Sequence, residues 1–173
     1  MLSIGIVWNC ANFLNKEIIR DVDERTSILE SIELDLGDKY EDFVRAIYSS
    51  EQMEEWKIEN KISHMMSNSC RKITILFFEF DDTEIEYHPF KKKNVFKQLE
   101  SCKMHIREKY KSCIDNYIFD IVFHATDNLI ELKNCFNILL SFIENNNELQ
   151  KESTNKLLRM RIHKSINNDG DKR

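Results

Sequence analysis

Apolar positions along the chain fall into blocks whose spacing alternates between strand and helix. Ile4-Gly5-Ile6-Val7-Trp8 is a short apolar run and predicts a central strand. Asn12 or Asn15 then caps a helix running through Asp23, with Phe13, Ile18, Ile19 and Val22 on its apolar side. From Ser27 to Leu36, Ile28, Ile32, Leu34 and Leu36 keep one parity against Glu33 and Asp35, while Leu29 and Glu30 fall out of step. That pattern predicts an alternating strand, buried on one face, with room for a bulge. Gly37-Asp38 opens a helix on which Tyr40, Phe43, Val44, Ile47 and Tyr48 share one face. Ser50 is placed to cap a second helix carrying Met53, Trp56, Ile62, Met65 and Met66.

Arg71 to Phe80 is the clearest strand pattern in the chain, ended by Asp81-Asp82. Residues 81–95 hold the single proline, Pro89, and read as a loop. A helix is predicted from Phe96 to Ile114, with Leu99, Cys102, Ile106 and Cys113 inward and Lys103, Arg107 and Lys111 lining one outer face. Asn116 to His124 reads as a fourth strand. Thr126-Asp127-Asn128 stop it and start a last helix, with Asn128 and Glu131 spaced as a capping box and Leu132, Cys135, Phe136, Leu139, Leu140 and Ile143 directed into the core. From Asn145 the periodicity fades. Leu157 to Ile162 fits a short peripheral helix, and 165–173 reads as disordered. The expectation is one domain over 1–145 and a C-terminal extension, partly helical and then disordered, over 146–173. Without the paired helices after the second strand and the last helix, the order is β-α-β-β-α-β. The predicted class is α+β: a ferredoxin-like split βαβ with a four-stranded antiparallel sheet, helices on it, and a helical hairpin inserted between strands 2 and 3.

Composition narrows the function classes. The 173 residues include only three glycines and one proline, too few for a Walker or Rossmann glycine loop. The formal charge of −5 argues against a general nucleic-acid or anionic-membrane binder. Its distribution is uneven: 91–111 carries eight basic residues against two acidic ones, which fits either a focused anion site or a solvated helix face. Five cysteines form no CxxC and no zinc spacing, so buried reduced thiols in a cytoplasmic protein are expected. No signal-peptide pattern is present, and the apolar run at Phe136–Ile143 is too short to span a membrane.

Candidate chemistry centres on His124, where a strand ends and a helix begins. The free N–H groups and dipole of a helix N-terminus favour anions and disfavour a protonated imidazole, leaving a neutral ring able to attack phosphorus. Ile106-Arg107, then an apolar strand, then His124-Ala-Thr-Asp-Asn128 resembles the nucleoside diphosphate kinase signature, I-R-G followed by N-x-x-H-G-S-D-S. The order of elements over residues 3–144 is similar to that family as well. The resemblance implies a nucleotide- or phosphate-binding protein, and a phosphotransferase working through a phosphohistidine at His124. Arg107 would clamp phosphate, Thr126 and Asp127 would stand for the family's serine and aspartate, and Mg²⁺ would accompany the nucleotide. It also implies closed homo-oligomers and a base site on the helical hairpin, where Trp56 with Lys57 and Lys61 could stack and grip. Lys103 and Lys111 would add neutralising charge, and no resident metal ligands are assigned.

Several positions depart from the family pattern. Its strand-1 lysine is Trp8, the proline after it is Asn9, and the glycine after the histidine is Ala125. At the family's orienting glutamate stands Cys135, with Glu131 nearer. Plainer readings stand beside each motif. His124 serves as a hydrogen-bonded strand-end residue, Asp127 and Asn128 as helix caps, Trp56 as a core or interface residue. Asp81-Asp82 either bind Mg²⁺ or end a strand. His88 and His105 read as surface histidines, and His64 as partly buried. Two other functions remain open: a non-catalytic protein-interaction module on the same fold, and an RNA-acting defence or toxin domain using the 91–111 cluster.

Overall fold

The computed structural model describes residues 1–144 apart from 50, 52, 82, 83, 90 and 119. The expected helix at 157–162, the disorder at 165–173 and the cap at Ser50 lie outside the described residues. Strand β1 (Leu2–Val7) is followed by a 3-10 turn at Asn9–Leu14, helix α1 (Asn15–Asp23) and strand β2 (Ser27–Asp35). Next come a 3-10 turn at Gly37–Lys39, α2 (Tyr40–Ser49), α3 (Glu55–Ser67) and β3 (Lys72–Glu79). The hairpin β4 (Ile85–His88) and β5 (Lys93–Phe96) leads into α4 (Lys97–Tyr110), and β6 (Phe123–Ala125) into α5 (Leu129–Glu144).

One antiparallel sheet has the order β2-β3-β1-β6, and the β4–β5 pair forms a second, small sheet. This is the split βαβ arrangement, with the α2–α3 pair inserted between β2 and β3. β1 is buried along its whole length because it lies between β3 and β6. β2 is one of the two edge strands, and its register with β3 shifts between Ile28 and Glu30, so a bulge sits where the apolar parity slips. Asn9, at the end of β1, joins three elements. Its amide donates to the carbonyls of Met65 (2.9 Å) and Cys70 (2.8 Å), and its oxygen accepts from the Tyr40 hydroxyl at 2.6 Å. Asp21, 2 % exposed, ties α1 to α4 by accepting from Tyr110 at 2.8 Å and pairing with Lys109. Among the described residues no helix is long and apolar enough to cross a membrane.

Three expectations need correction. The 81–95 segment contains a β-hairpin, with Pro89 in its turn; charged and exposed positions on β4 hid the alternation. The fourth strand is three residues long, not nine. Asn116 and Asp120 adopt left-handed backbone (φ 51° and 60°), which Asn and Asp tolerate and which no strand can contain. Cys113 is exposed, because α4 ends at Tyr110 and the chain tightens into a 3-10 turn.

Candidate functional site

His124 occupies the middle of β6, opposite Ile6 of β1. Gly5 makes that placement possible: a Cβ there would come within 2.7 Å of the Phe123 ring, so only glycine lets β6 lie this close. The His124 ring packs near Trp8 (6.4 Å between centroids) and edge-on to Tyr48 (6.0 Å). Its Nε2 lies 3.1 Å from Oε1 of Glu51, in the connection between α2 and α3. Burial, reinforced by Lys103, Arg107, Lys61 and Lys93, holds the imidazole well below its ordinary pKa. The same burial pushes the Glu51 carboxyl up to about 7, with Glu131 adding to the rise and Lys93, Lys61 and Lys103 opposing it. A neutral imidazole is what the sequence predicted, although desolvation and not a helix dipole is the main cause.

A cleft of about 730 Å³ opens over His124. Its lining includes Lys57, Lys61, Lys91, Lys92, Lys93, Lys103 and Arg107, set against Glu51, Glu54, Asp120, Asp127 and Glu131. On one wall Arg107 donates from Nε to the Phe123 carbonyl (3.1 Å) and reaches Asp120 at 3.3 Å. Lys61 lies over the Tyr48 ring at 4.3 Å. On the other wall the lysines are already paired. Lys103, fully buried, meets Asp127 and, at 2.7 Å, Glu100. From the hairpin, Lys91 reaches Glu100 (2.6 Å) and Asp127 (3.1 Å), while Lys93 reaches Asp127 (2.8 Å) and Glu131. Although burial raises the Glu100 carboxyl, Lys103 and Lys91 outweigh it and hold the pKa down at about 2.

The start of α5 is not an open anion site. Asn128 Oδ1 accepts from the N–H groups of Ile130 and Glu131, both at 3.0 Å, and Glu131 Oε2 accepts from Asp127 N–H at 2.8 Å. Asn128 therefore caps α5 as expected, the reciprocal bond from Glu131 reaches back one residue further, to Asp127, and that carboxylate sits where an external anion would bind.

The predicted site residues separate accordingly. His124, Arg107, Lys103 and Asp127 meet in the cleft, but Lys103 and Asp127 hold each other. The expected outer face on α4 is corrected: Lys103 is buried and Arg107 nearly so, while Lys111 stays outside the cleft beside Glu108. Thr126 binds inward, its hydroxyl bonded to Ser3 Oγ (2.9 Å) and to Ile4 N–H (3.2 Å). Trp56 is half exposed and does not line the cleft. Of the Asp81-Asp82 pair, Asp82 lies outside the described residues. Trp8, in place of the expected strand-1 lysine, is fully buried. Two residues around the cleft carried no separate signal in the sequence. Glu51 lies between two helices with no motif around it, and Glu100 reads as a surface position of α4.

No protein-family model and no curated protein matches the chain. Among solved structures it is similar to nucleoside diphosphate kinase from Aquifex aeolicus (TM-score 0.48, 12% identity, covering 80% of this chain and 93% of that one). A nucleoside diphosphate kinase family protein from Babesia bovis gives TM-score 0.49 and 10% identity over 79% of this chain and 86% of that one. The nucleoside diphosphate kinase of Borrelia burgdorferi gives 0.47 and 14% over 80% and 85%.

Proposed function

We propose that the cleft binds a phosphorylated small molecule, a nucleotide, and that His124 accepts its terminal phosphoryl group. The observation that carries this reading is a buried neutral imidazole with Nε2 held at 3.1 Å by a carboxylate, beside Arg107 on the floor of a basic cleft. When ionised Glu51 accepts a hydrogen bond from Nε2–H of the neutral ring, the lone pair stands on Nδ1. Nδ1 attacks the terminal phosphorus of a Mg²⁺–nucleoside triphosphate. The bond from phosphorus to the bridging oxygen breaks, and the nucleoside diphosphate leaves with that electron pair. Arg107 neutralises charge on the transferring oxygens. An acceptor diphosphate reverses the step. Mg²⁺ enters as part of the substrate, since Asp127 and Glu131 are bound to lysines and the described residues contain no cluster of metal-ligating side chains.

Incubation with γ-labelled ATP and Mg²⁺ is expected to give an acid-labile, base-stable phosphoprotein, absent from His124→Ala. An unlabelled wild-type chain across several nucleotides would end the phosphohistidine reading.

A further inference from the structure

Strand β2 leaves one side of the main sheet open. It pairs with β3 along its length, and among the described residues no strand pairs with its other edge. An open edge presents backbone N–H and C=O groups to any further strand, and natural edges are blunted by charge, proline or a bulge. β2 has a bulge near its start and charge of one sign along the rest: Glu30, Glu33 and Asp35, with no Lys or Arg between Ser27 and Leu36. Lys72 of β3 meets Glu33 at 3.3 Å, and Asp35 accepts from the Gly37 N–H at 3.1 Å. The second half of β2 alternates. Ser31, Glu33 and Asp35 are exposed, while Ile32 is half-buried and Leu34 buried. A strand laid on this edge would match it with cations on the first face and apolar side chains on the second.

The chain itself carries such a segment. Lys156 to Lys164 holds four Lys/Arg and no Asp or Glu, and Leu158, Met160 and Ile162 alternate with Arg159, Arg161 and His163. That period of two competes with the helix expected over Leu157–Ile162. The place where α5 ends puts the edge within reach. Phe142, in its last turn, packs against Phe43 at 5.2 Å between ring centroids, and Phe43 stands at the start of α2, one 3-10 turn after β2. Residues 145–157 span up to roughly 40 Å when extended, more than the roughly 30 Å length of β2 itself. A second copy of β2 is a poorer occupant, because an antiparallel β2–β2 pair sets Glu30, Glu33 and Asp35 against the same three acids.

We propose that residues 156–164 add to the β2 edge of their own chain as a fifth strand of the main sheet. Arg159 and Arg161 then share a face with Glu33 and Asp35, and Leu158, Met160 and Ile162 lie beside Ile32 and Leu34. The fold thereby covers its own acidic edge, independently of the chemistry in the cleft. The test is carbodiimide cross-linking of the full chain at low salt, which joins lysine to carboxylate with no spacer, on an equal mixture of unlabelled and isotope-labelled protein. Lys156 or Lys164 is expected to join Glu30, Glu33 or Asp35 within one isotopic form; this needs no variant to fold. Hydrogen exchange of the Ile28–Asp35 amides gives a second readout. Arg159→Glu/Arg161→Glu should speed it by about tenfold or more, whereas Lys172→Glu/Arg173→Glu should leave it within about twofold of wild type. Links from Lys156 and Lys164 that are absent or avoid β2, or exchange unchanged in Arg159→Glu/Arg161→Glu, would overturn the proposal. Links found only between the two isotopic forms would overturn it as well, and would put the segment of a second copy on the edge.

Discussion

The two walls of the cleft carry comparable charge in opposite arrangements. On the wall made by the hairpin, α4 and α5, three lysines interleave with Glu100, Asp127 and Glu131, and each lysine has a carboxylate within bonding distance. On the wall made by α3, Arg107 and β6, cations crowd a neutral histidine, and the nearest carboxyl, Glu51, titrates near neutrality. A basic run in sequence therefore does not locate an anion site. On the first wall carboxylates are folded in among buried lysines and the charge is internal and structural; on the second Arg107 pairs with the half-exposed Asp120, and Lys61 lies over the Tyr48 ring. The walls should also answer pH differently. Glu100, held down at about 2, contributes stability that is complete above its ordinary value near 4.5 and is lost only as pH falls through 2. Glu51, raised to about 7, works in the opposite sense: the folded state holds its proton more tightly, so stability falls as pH rises from 4.5 to 7.

The strongest break of this contrast is Asp127→Ala. Asp127 is 4 % exposed and contacts Lys91, Lys93 and Lys103. Its loss leaves Lys103 buried beside other cations, with Glu100 to offset it and Lys91 while Glu131 keeps Lys93, and should cost about 3–5 kcal/mol in denaturant unfolding. Adding Lys103→Met should return much of that. A single-mutant loss under about 1 kcal/mol would mean the paired wall is not holding the fold.

Glu51→Gln sharpens the other wall. Removing a carboxyl forced to ionise while buried should stabilise the chain by roughly 3 kcal/mol at pH 8 and by much less at pH 5. Phosphohistidine labelling should change as well. In wild type, protonated Glu51 donates to Nε2 and forces the ring proton onto Nδ1, so labelling should fall as pH drops below about 7. Burial sets that midpoint, with Glu131 raising it further and Lys93, Lys61 and Lys103 opposing. The amide that replaces the carboxyl in Glu51→Gln cannot titrate, so the acid limb should disappear. An unchanged limb would assign it to another group.

The split βαβ order was legible because its strands are apolar runs and its helices amphipathic, which period alone reports. The bulge near Leu29 was legible for the same reason, since a slip in parity is itself a pattern. The β4–β5 hairpin was not: Ile85-Glu86-Tyr87-His88 alternates for only four residues, and the apolar ones are as exposed as Glu86, so no core face marks the strand. His124 stood out by its place where a strand ends and a helix begins, and Arg107 through the resemblance to the family signature; both line the cleft. The roles of Lys103 and Asp127 were not, because period says which face a residue occupies and says nothing of its partner. Lys103 read as an outer-face residue, although a helix bordered by a hairpin and another helix has no outer face on that side. Glu51 was beyond reach for a related reason. It meets His124 only through the packing of the α2–α3 pair against β6, a contact between segments far apart in the chain.

The smallest expected effect comes from a third cluster that resembles the paired wall in every respect but burial. Arg45 on α2 bonds Glu41 (3.2 Å), Glu55 (3.2 Å) and Glu59 (2.6 Å), joining α2 to α3 on the surface. Three carboxylates on one arginine are as many partners as Asp127 has lysines. Here, however, water screens every charge, the free side chains lose little solvation when the pairs break, and ordering long side chains opposes the gain. Arg45→Ala should therefore move the melting midpoint by less than about 2 °C, and salt at about 1 M should erase the difference. It should leave phosphohistidine labelling untouched, because Arg45 does not line the cleft. A midpoint loss approaching that of Asp127→Ala would show that the number of partners, and not their removal from water, sets the strength of these networks. The contrast between the two walls of the cleft would then lose its physical basis.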